Sequence, residues 1–307
     1  RVVEEMGDRL PKNTTEVYAQ EQIILHEKQS TKIVLQTARI GSIGFTAMPN
    51  EVYALTGLKL KAMSPLQPTV NIELANGAEG YIPPPEQHPL GGYNTWAARS
   101  AGLEVQAEPK IVETVTQLLE KVAGRPRCVL KQNDGSSDKS IIDTKPVAYL
   151  RFDEWQAPHA LDRMNRHDAV YEPDVLFYLE GPRDAAFNGG DETNRCPHLA
   201  GGRVRATIGE LGDAYSVSMW FWNGMVTDAR SVTGYLFSRG RDHAFGAPGD
   251  HVGLGGTADG DGVDAKGRLF FFNGNDADTL LVGKPVIERW TWHHMVFVRD
   301  QAAVRVY

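Results

Sequence analysis

The chain has 307 residues, longer than one hydrophobic core usually serves, and with 41% hydrophobic and 23% charged residues its composition is that of a folded protein of two domains. Its 32 Lys and Arg against 39 Asp and Glu leave a net charge of −7, which excludes a general nucleic-acid binder, because such a protein needs a basic face to neutralise phosphates. No apolar run approaches the roughly eighteen residues that a membrane-spanning helix requires.

Residues 1 to 12 are charged and broken by Pro11, and the short β-branched runs Glu16 to Leu25 and Lys32 to Thr37 predict strands. Arg39 to Met48 alternates Ile43, Phe45 and Ala47 and closes at Pro49, which predicts one strand. Glu51 then stands where a carboxylate favours a helix N-terminus, with Leu55, Leu58 and Ala62 at helical spacing and Ser64-Pro65 as the stop. Thr69 to Leu74 predicts the next strand, completing a parallel crossover unit. In such a unit both strands end at the same sheet edge, so Glu51 and Tyr81 are expected on one rim.

The stretch Asn76 to Tyr93, NGAEGYIPPPEQHPLGGY, is loop chemistry. Pro83, Pro84 and Pro85 fix φ and donate no backbone hydrogen bond, while Gly77, Gly80, Gly91 and Gly92 open angles closed to other residues. A loop this stiff is either a rigid surface connection or a holder for polar side chains, of which Asn76, Glu79, Tyr81, Glu86, His88 and Tyr93 are the candidates. Trp96 and Arg99 are expected to cover neighbouring surface. A second helix follows, its stripe formed by Ile111, Val112, Val115, Leu118, Leu119 and Val122, with Pro109 in its first turn and Gly124 and Pro126 as its stop.

The segments PNEVYALTG, NGAEGYIPPPEQHPLGGY and LEVQAEPKIVETV resemble the C-terminal part of the catalytic domain of neutral, non-lysosomal ceramidases, over about residues 35–122. The resemblance implies that a Pro-Gly-Glu element and an Asn-x-x-x-x-Tyr element each deliver a zinc ligand. Those positions fall on Glu51 and Tyr81, with Asn76 and Gly80 in the supporting loop. Zinc would polarise the carbonyl of a lipid amide or other small-molecule amide and lower the pKa of its bound water. Asn50 stands where the family has glycine, PPPEQHPLGG replaces its acidic, tyrosine-rich segment, and only His26 precedes Glu51 where the family has two histidine ligands. The chain therefore carries half of such a metal site. Its catalytic residues are not assigned.

Residues 131–145, rich in Asn, Asp, Gly, Ser and Lys, read as a linker, and the expected domains are 1–127, a linker at 128–144, and 145–307. Beyond it, Val147 to Phe152, Tyr215 to Trp222, Gly234 to Ser238, Leu269 to Phe272 and His293 to Val298 predict strands of an antiparallel sandwich, with Val217, Met219 and Phe221 facing inward. PVAYLRFDE, YSVSMWFWNG, GYLFSRG and WTWHHMVFVRDQAAVRVY are similar to the laminin-G-like, concanavalin-A-type jelly-roll, which implies a glycan or protein ligand. The expected fold class is thus multidomain, an α/β segment with a parallel βαβ unit followed by an all-β jelly-roll sandwich.

His293 and His294 are neighbours in a strand and face opposite ways, so they do not share a metal site. Asp259, Asp261 and Asp264 are clustered carboxylates of the kind a calcium site uses, the first two in Asp-Gly pairs that also form ordinary turns. Cys128 and Cys196 fit one disulfide or two free thiols. Arg1 in place of Met and a C-terminus inside an apolar run read as an internal piece of a longer, exported bacterial protein, extracellular or in the cell envelope. Two function classes follow: a zinc amidohydrolase with an appended binding module, and a non-catalytic binding or adhesion protein.

Overall fold

The computed structural model describes residues 1–129, 134–190, 193–242, 244, 247–260, 263–274 and 277–307, with the backbone alone at 259, 260, 263 and 277. The fold is mixed helix and strand, richer in strands, and its sheets are open. Two compact units divide it, Arg1–Ile208 and Gly209–Tyr307.

The first unit opens with helices α1 (Val2–Met6) and α2 (Thr14–Lys28). The expected strand over Glu16 to Leu25 is helix because Asn13 caps it, its side chain accepting the Glu16 N–H at 2.9 Å, and because Ala, Gln and Glu between the β-branched residues are strong helix formers. The single strand expected over residues 39–48 is a hairpin, β1 (Gln36–Ile40) and β2 (Ile43–Ala47), turning at Gly41 with φ 61°. Helix α3 (Ala54–Met63) and strand β4 (Thr69–Ile72) complete the crossover, with β2 parallel to β4. Helix α4 (Ala107–Ala123) ends on Gly124 in the left-handed conformation and lays Ile111, Val115 and Leu119 on Met48, Leu60, Leu66 and Ile82.

Glu51 does not open the helix. It lies with Val52 in a short strand, β3 (Glu51–Val52), and α3 starts only after Tyr53. The partner of β3 is β5 (Tyr81–Ile82), parallel to it, with Glu51 opposite Tyr81 and Val52 opposite Ile82.

Within the expected linker, residues 136–143 form helix α5 (Ser136–Asp143). It is anchored through Asp138, which is buried and accepts the Tyr149 hydroxyl at 2.8 Å and the Arg151 guanidinium at 3.0 Å. The strand expected at Val147 to Phe152 is reduced to one bridge between Leu150 and Asp162. The rest of the unit comprises β6 (His159–Leu161), β7 (Asp168–Tyr171), β8 (Val175–Glu180), α6 (Ala185–Asn188), β9 (Arg195–Leu199) and β10 (Val204–Ala206). Leu55 of α3 packs against Ala160, Ala169, Tyr171, Val175 and Phe177, so residues 145–208 share packing with the crossover region. The compact division at residue 208 therefore falls well beyond the linker read from composition.

The second unit contains β11 (Ala214–Trp222), β12 (Val232–Ser238), β13 (Asp250–Gly255), β14 (Asp259–Gly260), β15 (Val263–Asp264), β16 (Arg268–Asn273), β17 (Leu281–Val286), β18 (Trp292–Asp300) and β19 (Ala303–Val306). One sheet runs β11-β18-β19 and another β12-β13-β16-β17. Val252 and Phe271 of the second meet Met295 and Phe297 of the first in one core, with Val217, Met219 and Phe221 packed against it. Asp250 is buried beneath them, ion-paired to Arg299 at 2.6 Å and bonded to Asn273 at 2.9 Å and to the Tyr215 hydroxyl.

Candidate functional site

The backbone around Glu51 is set by its neighbours. The Glu79 N–H bonds the Pro49 carbonyl at 2.7 Å and the Glu51 N–H bonds the Gly80 carbonyl at 3.1 Å, which fixes the register of β3 on β5. Gly80 has φ 77°, and a Cβ on it would lie 2.4 Å from the Ser100 carbonyl oxygen, so only glycine fits here. Asn50 is fully buried; its Nδ2 donates to the Glu79 and Gly80 carbonyls, both at 3.3 Å, and its Oδ1 has no hydrogen-bond partner. Asn76, at φ 62°, ties the loop to Gln36 through a 2.5 Å hydrogen bond.

Register partners in a parallel pair point to the same side. The Tyr81 hydroxyl accordingly faces the Glu51 carboxylate, and that neighbouring acceptor and charge, with some desolvation, hold the phenol above its ordinary range. Tyr93 and Tyr53 also lie within electrostatic reach of Tyr81. The Tyr93 ring meets that of Tyr81 edge to face, with centroids 5.8 Å apart at 76°. Burial raises Tyr53, and the neighbouring Asn94 side chain opposes that shift. One carboxylate and three phenols therefore gather at this rim. The helical reading of Glu51 hid Tyr53: in extended backbone, residues two apart share a face, so reading Glu51 as strand would have brought Tyr53 into the site.

The other loop candidates go elsewhere. Glu79 accepts the Thr31 hydroxyl at 3.1 Å and sits 3.6 Å from the Lys28 Nζ. Glu86 and His88 lie in a 3₁₀ turn, Pro85–Leu90, with Glu86 Oε1 and His88 Nε2 buried and unpartnered; burial pushes the Glu86 carboxyl up and the His88 imidazole down. Glu86 senses a buried ion pair that the sequence did not disclose, Lys59 with Glu108 at 3.2 Å, to which Thr56 donates at 2.8 Å.

In the second unit, His293 is half-buried with its Nε2 at 2.8 Å from the Glu288 carbonyl, whereas His294 is exposed and stacks on Trp220. Asp259 and Asp264 are opposed across the β14–β15 hairpin, the exposed Asp264 accepts the Lys266 N–H, and Asp261 lies outside the described residues. Cys128 and Cys196 are free thiols.

Among the described residues, no three His, Cys, Asp or Glu side chains converge where a metal ion is held. Glu51 and Tyr81 are zinc-compatible donors in kind, but two oxygens do not complete a tetrahedral set. No family model, no curated protein and no solved structure matches the chain.

Proposed function

We propose that Glu51 and Tyr81 form the oxygen half of a zinc centre in an amidohydrolase resembling neutral ceramidase, acting on a lipid amide or other N-acyl amide. In this proposal residues 145–307 form a laminin-G-like jelly-roll module for a glycan or protein ligand, and the protein works outside the cell or in its envelope. The observation that carries the reading is the pairing of Glu51 with Tyr81 across β3 and β5, which brings a carboxylate and a phenol together at one strand edge. The resemblance names the same two residues.

A bound zinc would supply Lewis acidity and an activated water. The chain's own contribution is positional. Gly80 lets β5 pass close to Ser100, and Asn50 donates to the Glu79 and Gly80 carbonyls, which together hold Tyr81 opposite Glu51. The reading requires imidazole ligands from outside residues 1–307, so the test uses the longer protein. Metal analysis is expected to find stoichiometric zinc, lost in Glu51→Gln and Tyr81→Phe together with hydrolysis of an N-acyl sphingoid amide. A longer protein without zinc and without amide hydrolysis refutes the proposal.

One observation favours the binding-protein reading. On the outward side of β11, Trp220 and Trp222 are each 47% exposed, and Trp290, which borders Gly224 as Trp222 does, is 63% exposed. Exposed aromatic surface of this kind marks interaction sites. Retention on a polysaccharide, lost in Trp220→Ala with amide hydrolysis unaffected, is the expected signature of that role.

A further inference from the structure

The aromatic rim beside Glu51 has features that a two-oxygen metal ligand does not need. Tyr93 is 63% exposed, and its ring stands at 76° to that of Tyr81, so the two form an open right-angled corner. The Glu51 carboxylate stands opposite Tyr81 across β3 and β5, with Tyr53 as a third phenol in electrostatic reach. Among the described residues, Glu51 has no Lys, Arg or His in an ion pair with it. A carboxylate lacking a cationic partner, beside perpendicular ring faces, presents negative potential from both the charge and the ring quadrupoles.

We propose that Glu51, Tyr81 and Tyr93 form an aromatic corner that binds an alkylated ammonium group, of the choline type. A quaternary ammonium is weakly hydrated and large, so it gains from ring faces and a single carboxylate. A small, strongly hydrated metal ion gains little from ring faces and needs more lone pairs. The proposal does not rest on the zinc reading: it concerns the metal-free chain, uses Tyr93, which that reading leaves idle, and makes the ammonium group a competitor of zinc for Glu51.

The test is a choline chloride titration of the 307-residue chain in excess EDTA, followed by tyrosine fluorescence or calorimetry. Saturable binding is expected, with none for the uncharged carbon isostere of choline. Tyr93→Ala is expected to weaken binding about fivefold and Glu51→Gln about tenfold, the scale of one partly exposed cation–π contact and one ion pair. Tyr93→Trp, which keeps a ring at the corner, should match or exceed the wild type, so a loss in Tyr93→Ala is not misread as misfolding. Phosphatidylcholine vesicles tested alongside distinguish a lipid headgroup from free choline as the source of the ligand. Absence of saturable binding, equal binding of the isostere, or wild-type affinity in Tyr93→Ala overturns the proposal. Because Tyr93 is no zinc ligand, Tyr93→Ala should leave the zinc content of the longer protein unchanged, which separates failure of this inference from failure of the amidohydrolase reading.

Discussion

Replacing Lys59 by Met tests the packing that positions the site from behind. Lys59 and Glu108 tie α3 to α4, with side chains 6% and 0% exposed and Nζ at 3.2 and 3.4 Å from the two carboxylate oxygens. At that separation the attraction is about 5 kcal/mol for an effective dielectric constant of about 20, and it is offset by the cost of desolvating both charges. Methionine restores the stem of Lys59 and removes only the charge, which leaves Glu108 buried with Thr56 as its neutral donor. The expected loss is about 3 to 5 kcal/mol, the usual cost of breaking a buried pair from one side. For a unit of this size that lowers the transition temperature by roughly 6 to 20 °C. Urea unfolding followed by far-UV circular dichroism measures it. The double variant Lys59→Met with Glu108→Leu should recover most of the loss, because no buried charge then lacks its partner. A single-variant loss below about 1 kcal/mol, or a double variant no better than the single, refutes the reasoning.

Further outcomes follow from the same geometry. Gly80→Ala combines a left-handed φ with a Cβ 2.4 Å from the Ser100 oxygen, so a loss of about 2 to 4 kcal/mol is expected in thermal unfolding, together with displacement of Tyr81 from Glu51. Glu86 has its folded pKa raised above 4.5 by burial, so the folded chain holds this proton more tightly than the unfolded one and stability falls as pH rises through the window above 4.5. Glu86→Gln should remove that decline, and denaturant midpoints measured across the window show whether it does. Cys196, pushed up to about 11 by burial, should react slowly with a thiol reagent at neutral pH, whereas the exposed Cys128 reacts fast; Cys128→Ser should delete the fast phase alone.

The parts legible in the sequence are those fixed by local pattern. The apolar stripe from Ile111 to Val122 with Gly124 behind it specifies α4, and the alternation of Tyr215 to Trp222 specifies β11. The crossover from β2 through α3 to β4 was also readable, because strand alternation, helical spacing and stop residues agree there. What escaped depends on contacts distant in sequence. Glu51 carries a helix-start signature, yet pairing with Tyr81, thirty positions on, draws it into a strand. Residues 136–143 have linker composition, yet docking of Asp138 on Tyr149 and Arg151 makes them helical. The Lys59–Glu108 pair was invisible because a charged residue on a helix reads as solvated until its partner is known. At the site, the loop's stiffness fitted a rigid connection as well as a holder of side chains, and Tyr53 and Asn94 entered only through the fold.

The central claim is that the Tyr81 phenol and the Glu51 carboxylate act as one interacting pair across β3 and β5, and a tyrosine titration tests it most directly. With ¹³Cζ-labelled tyrosine, the Tyr81 resonance, assigned through Tyr81→Phe, should titrate above the ordinary value of 10.0 in the native chain, because ionising the phenol puts a second negative charge beside the Glu51 carboxylate. The stability this interaction contributes is present at neutral pH and is lost as pH rises from 10.0 through the higher folded value. In Glu51→Gln the Tyr81 titration should fall back toward 10.0 with the other tyrosines unmoved. A Tyr81 titration that is the same with and without the Glu51 carboxylate would contradict the account.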